Sequence, residues 1–409
     1  MATDIVERFQ HYGQGENTIK ITDVKVLRMQ AHAEPHNNWL FVRIHTDSGI
    51  TGIGEGSLQY KDAALAAEIE NFGTYLRGKD PFQIEHIWTS LHRRVTWTGG
   101  AVTMSAISAI DLALWDIKGK ALGVPVYELI GGRVRDRVPL YANGWFTGGQ
   151  PSAHGPQGVG DAGEANWYAE QAKGVVAKGY RCLKVYPFNG VQVITPDRIA
   201  RGVGIVRAIR EAVGPGVEVA VDVRRRLNIW SARRVAQKLA PLDIAWLEEP
   251  ILFDNAAAMA AFARTSPVPI STGEESYTRW EFRELLEANA VGIIQPDICH
   301  AGGISELTKI AAMAETYYVT VAPHNSNGPI STVASLHLDM AINNCHMQEL
   351  FLNSLNLYQE VLTNPLVIEN GYGAPPDGPG WGTDLDDAVL AQHLPVDFVP
   401  VESEPYRDF

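Results

Sequence analysis

Three acidic residues recur at equal intervals along the chain, each within or just after a short apolar segment. Asp222 ends "VEVAVD", Glu248 lies in "IAWLEE" and Glu274 follows "PISTG", with successive positions 26 residues apart. If one βα unit separates each pair, the three carboxylates converge at one end of a barrel of parallel strands. Three such charges repel one another, and Mg²⁺, a hard divalent cation, is the natural neutraliser. We therefore predict a magnesium site; the alternative from spacing alone is three unrelated loop carboxylates.

A histidine and two further carboxylates follow later strand segments. Asp297 closes "IIQPD", His324 closes "VAPH", and Glu349 lies in "MQEL" on the last of these segments. A carboxylate next to a histidine fixes the tautomer of the ring and raises its basicity, as general acid/base chemistry requires. We therefore predict an acid/base pair of His324 and Asp297, with Glu349 completing the ring of side chains.

Basic and phenolic groups follow two other strand segments. Lys184 and Tyr186 alternate in "CLKVYP", and Asp222 and Arg224 alternate in "VDVRRR", so each pair is expected on one face of its strand. A guanidinium does not act as an ordinary base, but it binds carboxylates bidentately. We predict that Arg224 contacts an anionic substrate and that the two arginines after it are structural.

The segments that must position these side chains repeat from residue 137. Short apolar segments, each followed by a polar turn, alternate with amphipathic helical patterns such as "PDRIARGVGIVRAIREAV". Their count and near-even spacing favour an α/β fold, a (β/α)-barrel, over an open sheet. We predict strands at "VPLYANG", "CLKVYP", "VEVAVDV", "IAWLEE", "PISTG", "GIIQPD", "VTVAPH" and "HMQEL".

The chain before the barrel lacks this regular cycle. Strand-like "IKITDVKVLRM" and "WLFVRIHTDSGITGIGE", with a turn at residues 47–49, precede three helical segments, which predicts an α+β domain. The last residues are rich in Pro, Gly and Asp and are expected to pack back on that domain. We predict an α+β capping domain at 1–136, a catalytic barrel at 137–364 and a C-terminal segment at 365–409.

Composition narrows the class of partner. The chain has 409 residues and a net charge of −13, which argues against nucleic acid and anionic membranes as partners, because both reward clustered positive charge.

The start "MATDIVERFQHYGQ" lacks the pattern of a secretory signal, so we predict a cytoplasmic protein. The most apolar run, "AVTMSAISAIDLALW", is interrupted by Asp111 and is too short to span a bilayer. The expected partners are a small molecule and further subunits.

One Gly/Pro-rich loop and the cysteines also carry expectations. The Gly/Pro-rich segment at 146–163 predicts a mobile lid, and its "GVGDAG" lacks the preceding strand that a dinucleotide site needs. The three cysteines form no close pair, and we expect buried, reduced thiols at Cys182, Cys299 and Cys345.

Taken together, these segments resemble the mandelate racemase-like branch of the enolase superfamily over nearly the whole chain. "SAISAIDLALWDIKGKALGVPVYELIGG" resembles the end of that family's capping domain. "VDV", "WLEEP", "STGEE", "IIQPDICHAGGISE" and "VAPHNSNGP" resemble its successive barrel strands. The resemblance implies a capping domain over a (β/α)7β barrel, Mg²⁺ on Asp222, Glu248 and Glu274, and a homo-oligomer between dimer and octamer.

The resemblance also implies a reaction. A base removes the proton α to a substrate carboxylate, and Mg²⁺ stabilises the resulting enediolate as a Lewis acid. By position, His324 with Asp297 matches the family's dyad, and Glu349 matches a residue that hydrogen-bonds an enediolate oxygen. These matches imply an enzyme that acts on a carboxylic acid.

Two positions depart from the family's pattern. Many relatives carry Lys-x-Lys where this chain has Lys184-Val-Tyr186, and a phenol with a pKa of about 10 serves as a base only if cations favour the phenolate. Sugar-acid dehydratases of this branch often place an acidic histidine where Arg224 stands. The second base, Tyr186 or Lys184, is therefore left open.

The resulting interpretation is a Mg²⁺-dependent dehydratase, a carbon-oxygen lyase, that converts an aldonate or aldarate to a 2-keto-3-deoxy acid. A racemase, epimerase or cycloisomerase on the same scaffold is one alternative, and a non-catalytic sugar-acid-sensing member is another. Substrate discrimination is expected from two loops of the first domain. They are "AHAEPHNNW" (31–39), with His36 and Asn37, and "RRVTWTGG" (93–100), with Trp97 as an apolar wall.

Overall fold

A computed structural model describes residues 19–31, 38–93, 96–146, 160–188, 193–224 and 227–396. The first part of the chain folds as the expected α+β domain, with a three-stranded antiparallel sheet in the order β1-β2-β3. A tight turn at residues 47–50 joins β2 to β3, and Gly49 supplies the positive φ of +81° that this turn needs. The elements are β1 (Ile21–Gln30), β2 (Asn38–Thr46), β3 (Thr51–Glu55), α1 (Asp62–Leu76), α2 (Ile84–Arg93), α3 (Gly100–Leu122) and α4 (Val126–Leu129).

In its described residues, the next part of the chain is a barrel of eight parallel strands with seven α-helices between them, as the repeated sequence pattern predicts. The strands are β4 (Val138–Asn143), β5 (Cys182–Val185), β6 (Glu218–Asp222), β7 (Leu247–Glu248), β8 (Ile270–Thr272), β9 (Ile293–Ile294), β10 (Thr320–Val321) and β11 (Gln348–Phe351). The helices are α5 (Gly160–Ala177), α6 (Pro196–Val213), α7 (Ile229–Leu239), α8 (Ala256–Ala263), α9 (Thr278–Glu287), α10 (Gly303–Glu315) and α11 (Pro329–Ala341).

The sheet closes on itself. Strand β11 pairs in parallel with β4, so that Glu349 lies opposite Tyr141, and a bridge between Val321 and Cys345 joins β10 to the segment before β11. Inside the barrel, Tyr141 packs edge-on against Trp246, with ring centroids 5.5 Å apart. The interior is therefore a packed core, and side chains at the carboxyl ends of the strands share one mouth.

Helix α3 is longer than the apolar run in the sequence indicates. It spans 23 residues with a mean hydropathy of 1.3 in its most apolar window, long and apolar enough to cross a membrane. However, 72% of that window is buried inside the protein, as is typical of a core helix. Two buried aspartates, Asp111 and Asp116, lie on this helix and bind other parts of the chain.

Two carboxylates of the capping domain bind the N-termini of barrel helices. Glu55, at the end of β3, accepts hydrogen bonds from the backbone N–H groups of Gly328 and Ser331 at the start of α11. Asp111 accepts one from the N–H of Ser305 at the start of α10, at 3.1 Å. The first N–H groups of a helix have no partner within it and carry partial positive charge, so these carboxylates stabilise the contact between the domains.

The C-terminal residues return from the barrel to the capping domain. A hairpin of β12 (Val367–Glu369) and β13 (Tyr372–Ala374) pairs with the start of β4. Helix α12 (Leu355–Val361) precedes this hairpin, and α13 (Asp387–Leu390) follows it. Between the hairpin and α13, the N–H of Trp381 donates to Asp116 at 2.9 Å and its indole donates to the carbonyl of Ile53 at 2.8 Å. These contacts join the C-terminal segment to the capping domain, and the division at residues 136 and 364 remains a proposal. We call Glu55, Asp111 and Asp116 the interface carboxylates.

Candidate active site

The three acidic residues predicted to bind metal lie together at the barrel mouth. Asp222 and Glu248 end β6 and β7 and lie opposite each other in the parallel register, and Glu274 follows β8 by two residues. One carboxylate oxygen from each lies within 4.8 Å of the other two. We call these residues the mouth triad. Asp222 and Glu248 are buried, whereas the Glu274 side chain is 18% exposed, so the triad opens toward the mouth.

The electrostatics of the triad favour a cation. Burial and the neighbouring Glu248 hold the pKa of Asp222 well above its usual value, and Glu274 adds to this. Three carboxylates at this spacing are the hard oxygen ligands that Mg²⁺ prefers. The donor set therefore fits a divalent cation, whose charge would relieve the repulsion.

Side chains deeper in the barrel fix the orientation of Glu248. Its Oε1 accepts a hydrogen bond from Lys184 Nζ at 2.5 Å. Its Oε2 accepts from the indole of Trp246 at 3.0 Å and from the amide of Gln295 at 2.8 Å. Trp246 shares a face with Glu248 because it lies two residues earlier on the same segment. The carboxylate is therefore held in place before any ion binds.

Lys184 is an ion-pair residue in this structure. Its ammonium lies 2.5 Å from Glu248 and 2.7 Å from Glu349, and its side chain is only 1% exposed. Burial lowers the pKa of Lys184, but the two carboxylates outweigh burial and raise it well above its usual value. A lysine held in this way stays protonated, so the geometry argues against Lys184 as the second base.

Tyr186 follows β5 by one residue and is held by Asn143 at the end of β4. The Asn143 amide donates to the phenolic oxygen of Tyr186 and, at 2.7 Å, to Glu349 Oε1. Its own Oδ1 accepts from the N–H of Gly144 at 2.6 Å, which fixes the direction of the amide. Burial raises the pKa of the Tyr186 phenol well above its usual value, against the opposing effect of Lys184. The neighbouring cations therefore do not produce a phenolate, and the group stays a protonated phenol whose oxygen accepts from Asn143.

Arg224 reaches the mouth, but not by continuing a strand. Strand β6 ends at Asp222, and Arg224 has a left-handed φ of +51°, so the alternation of faces does not extend to it. Its backbone N–H donates to Asp222 Oδ1 at 2.6 Å. Its guanidinium lies over the ring of Tyr186, 5.5 Å from the centroid, and the side chain is otherwise exposed. This position leaves the cation accessible from the mouth.

His324 and Asp297, predicted to act as an acid/base pair, are in hydrogen-bond contact. His324 Nδ1 lies 2.7 Å from Asp297 Oδ2, and Nε2 points toward the triad, 3.6 Å from Glu274. Burial lowers the pKa of His324, but Glu274, Asp297 and Glu349 outweigh it and raise the pKa to about 10. A divalent cation among these carboxylates would lower that pKa again, because its charge disfavours the imidazolium.

Of the predicted substrate-binding residues of the capping domain, Trp97 lies within the described residues. His36 and Asn37 lie outside the described residues, as do the central part of the expected lid at 147–159 and the two arginines after Arg224. Trp97 is described, and its side chain is 89% exposed. Burial lowers the pKa of Arg224, but Tyr186, Asp222 and Glu274 outweigh it and raise the pKa above its usual value. Tyr60, in the loop after β3, lies near enough to Arg224 to add to this rise. The loop after β3 is therefore a further capping segment near the mouth.

Four residues that organise the site were missed from the sequence. Asn143, Trp246 and Gln295 are described above, and Asn327 donates to both oxygens of Asp297, at 3.0 and 2.9 Å. A signal existed for two of them: Asn143 ends the first barrel strand, and Gln295 lies two residues before Asp297 in "IIQPD". Side chains at such positions point toward the mouth of a barrel.

Comparison with known proteins now identifies the family. Residues 17–131 match the model of the mandelate racemase/muconate lactonizing enzyme N-terminal domain, and residues 167–389 match the model described as enolase C-terminal domain-like. The chain belongs to the mandelate racemase/muconate lactonizing enzyme family. The family and fold predicted from the sequence are thereby confirmed.

Relatives of known name and structure agree with this assignment. A D-galactonate dehydratase of Ralstonia pickettii (strain 12J) is 36% identical over 376 residues, which covers 90% of this chain and 94% of that protein. A D-galactonate dehydratase of Xanthomonas campestris pv. campestris (strain B100) is 39% identical over 331 residues, covering 80% and 81%. A crystal structure of a putative dehydratase from Salmonella Typhimurium superimposes with a TM-score of 0.86 at 35% identity, covering 92% and 98%. Within the family, the chain thus resembles acid-sugar dehydratases.

Proposed function

We propose that this protein is a Mg²⁺-dependent sugar-acid dehydratase that removes water from an aldonate or aldarate to give a 2-keto-3-deoxy acid. The observation that carries the proposal is the asymmetry of the mouth. One side holds a histidine oriented by a carboxylate, and the other side holds a phenol that stays protonated. One base and one acid are what elimination of water needs.

Each residue of the site has its own role in the proposed reaction. Asp222, Glu248 and Glu274 would hold Mg²⁺, whose charge stabilises the negative charge that develops on the substrate carboxylate. His324 removes the proton on the carbon next to that carboxylate through Nε2, because Nδ1 is engaged by Asp297. Tyr186 then protonates the hydroxyl that leaves from the neighbouring carbon, and the resulting enol becomes the 2-keto acid.

Racemisation is less well supported by the same groups. Moving a proton from one face of a carbon to the other needs a base on each face, whereas the candidates opposite His324 are both held protonated. Carboxylates raise the pKa of Lys184, and burial raises the pKa of Tyr186. The same mouth can supply an acid, so dehydration fits better.

The identity of the substrate is narrowed by charge. Arg224 offers a guanidinium at the edge of the mouth, suited to a second carboxylate or to the hydroxyls of the distal end of a sugar acid. The relatives named D-galactonate dehydratase make galactonate the first aldonate to test. Galactarate, which bears carboxylates at both ends, tests the contribution of Arg224. A cytoplasmic homo-oligomer remains part of the proposal.

The test is a screen of aldonates and aldarates with Mg²⁺, with the 2-keto product trapped by semicarbazide and read by absorbance. We expect turnover of at least one stereoisomer and its loss with EDTA. Exchange of the substrate α-proton in D₂O without keto-acid formation would instead identify a racemase. Binding of a sugar acid with neither exchange nor product would identify a sensing protein.

A further inference from the structure

We propose that Glu55 of the capping domain is a positioning residue for the His324–Asp297 pair. This inference rests on the proposed function, which makes His324 the base. Glu55 touches none of the reacting groups. It acts through residues 325–331, the segment that leads from His324 into α11.

The Glu55 carboxylate is buried, with 0% exposure, and uses both oxygens. Its Oε1 accepts from Ser57 Oγ at 2.6 Å and from the N–H of Gly328 at 2.5 Å. Its Oε2 accepts from the N–H of Ser331 at 2.9 Å. Both oxygens accept hydrogen bonds, so a glutamine side chain at this position would place its NH₂ against one of the donor groups. That buried donor would then have no acceptor.

The segment fixed by Glu55 carries the groups that orient the base. Asn327 precedes Gly328 directly and donates to both oxygens of Asp297, the partner of His324. The backbone N–H of Asn325 donates to Glu349 at 2.8 Å, next to His324. A displacement of Gly328 therefore moves Asn327 and with it the carboxylate that sets the His324 ring.

The capping side of the contact leads back to the start of β2. Ser57 accepts from the N–H of Leu40 at 3.0 Å, two residues after the start of β2. Trp39 packs against Tyr358, with ring centroids 5.3 Å apart, and the Tyr358 hydroxyl donates to the carbonyl of Asn327 at 2.5 Å. Strand β2 is thus joined to the base through a continuous set of contacts centred on Glu55.

The first test compares Glu55→Gln with Asp116→Asn. Both remove the charge of a buried interface carboxylate that accepts backbone N–H groups on both oxygens, but the partners of Asp116 are Ile53, Lys120 and Trp381, not the base. We expect Glu55→Gln to lower kcat by about 10- to 100-fold, with KM and Mg²⁺ affinity changed less than about two-fold. Asp116→Asn should leave kcat within about two-fold.

A second readout does not depend on turnover. In ¹⁵N-histidine-labelled, metal-free protein, the His324 Nδ1–H resonance, assigned by its loss in His324→Asn, reports the hydrogen bond to Asp297. We expect it to shift upfield in Glu55→Gln and to stay in place in Asp116→Asn. If no sugar acid is turned over, the proposed function fails, and this resonance still decides the role of Glu55.

Gly328→Ala tests the contact from the barrel side. The added Cβ would lie 2.7 Å from Glu55 Oε1 and 3.0 Å from the Trp39 ring, while the backbone φ of −91° suits alanine. We expect it to reproduce both effects of Glu55→Gln. An unchanged kcat and an unmoved His324 resonance in the two variants, or equal losses in Asp116→Asn, would overturn the inference.

Discussion

The mouth triad and the interface carboxylates are both buried clusters of acidic residues, but they differ in what faces them. Each interface carboxylate meets backbone N–H groups, and burial raises the pKa of Glu55 and Asp111 to about 7 and that of Asp116 to about 6. In the triad the carboxylates face one another within 4.8 Å. Burial alone therefore does not mark a metal site; the closeness of like charges does.

The largest expected effect comes from removing one charge of the triad. Asp222→Asn should lower turnover by about 10⁴-fold or more, because a metal ligand is lost. It should also raise the free energy of unfolding of the metal-free protein by about 1 kcal/mol, since repulsion is relieved. Glu55→Gln should instead lower that free energy by about 1 to 3 kcal/mol. Urea unfolding in EDTA measures the free energy of unfolding of both variants. If both substitutions raised it, or both lowered it, the contrast between the mouth triad and the interface carboxylates would be wrong.

A second variant separates the triad from the base beside it. His324→Asn removes the proton acceptor, and we expect turnover to fall by about 1000-fold. Mg²⁺ affinity, measured by calorimetry, should stay within about three-fold, because the triad is intact. A parallel loss of metal binding would place His324 among the ligands.

The pH dependence of stability sharpens the contrast further. An unfolded glutamate loses its proton near pH 4.3, whereas burial raises the pKa of Glu55 to about 7. Between these values the folded state binds more protons, so raising the pH lowers the free energy of unfolding, by up to about 3 kcal/mol for this group. With the triad saturated by Mg²⁺, Glu55→Gln should flatten the curve of urea midpoint against pH between 4.5 and 7 by about this amount. Curves that stay parallel would contradict the assigned pKa.

The smallest effect concerns the cation at the edge of the mouth. Arg224→Lys should raise KM about 10-fold for an aldarate, because bidentate binding of the distal carboxylate is lost, and less for the matching aldonate. Stability should not change, because the Arg224 side chain is exposed. Equal changes in KM for both substrates would show that Arg224 does not bind the distal carboxylate.

Much of this arrangement follows from local rules that the sequence expresses. Helix α6 has the predicted bounds, because Thr195 caps its start, Pro196 occupies its first turn and Gly214 follows its end. The triad was found because strand and helix lengths repeat, which places Asp222, Glu248 and Glu274 at neighbouring strand ends. Where such regularity holds, spacing alone predicts which side chains come together.

The remaining features depend on contacts that no local pattern encodes. Lys184 is an ion-pair residue because Glu248 and Glu349, far away in the sequence, flank it inside the barrel. The alternation of faces along a strand does not apply to Arg224, because β6 ends two residues before it. Asn143 joins Tyr186 to Glu349 only once β4, β5 and β11 are neighbours. Each requires the assembled sheet.

The hydrogen bonds that Trp381 donates to Asp116 and to the carbonyl of Ile53 also have a consequence for biosynthesis. Domains commonly fold in the order in which they leave the ribosome, N-terminal first. Here the N-terminal domain lacks part of its core until residues beyond 380 are made, after the entire barrel. The domain that is synthesised first is therefore finished last, and until then Oδ1 of its buried Asp116 lacks the N–H donor that comes from the far end of the chain.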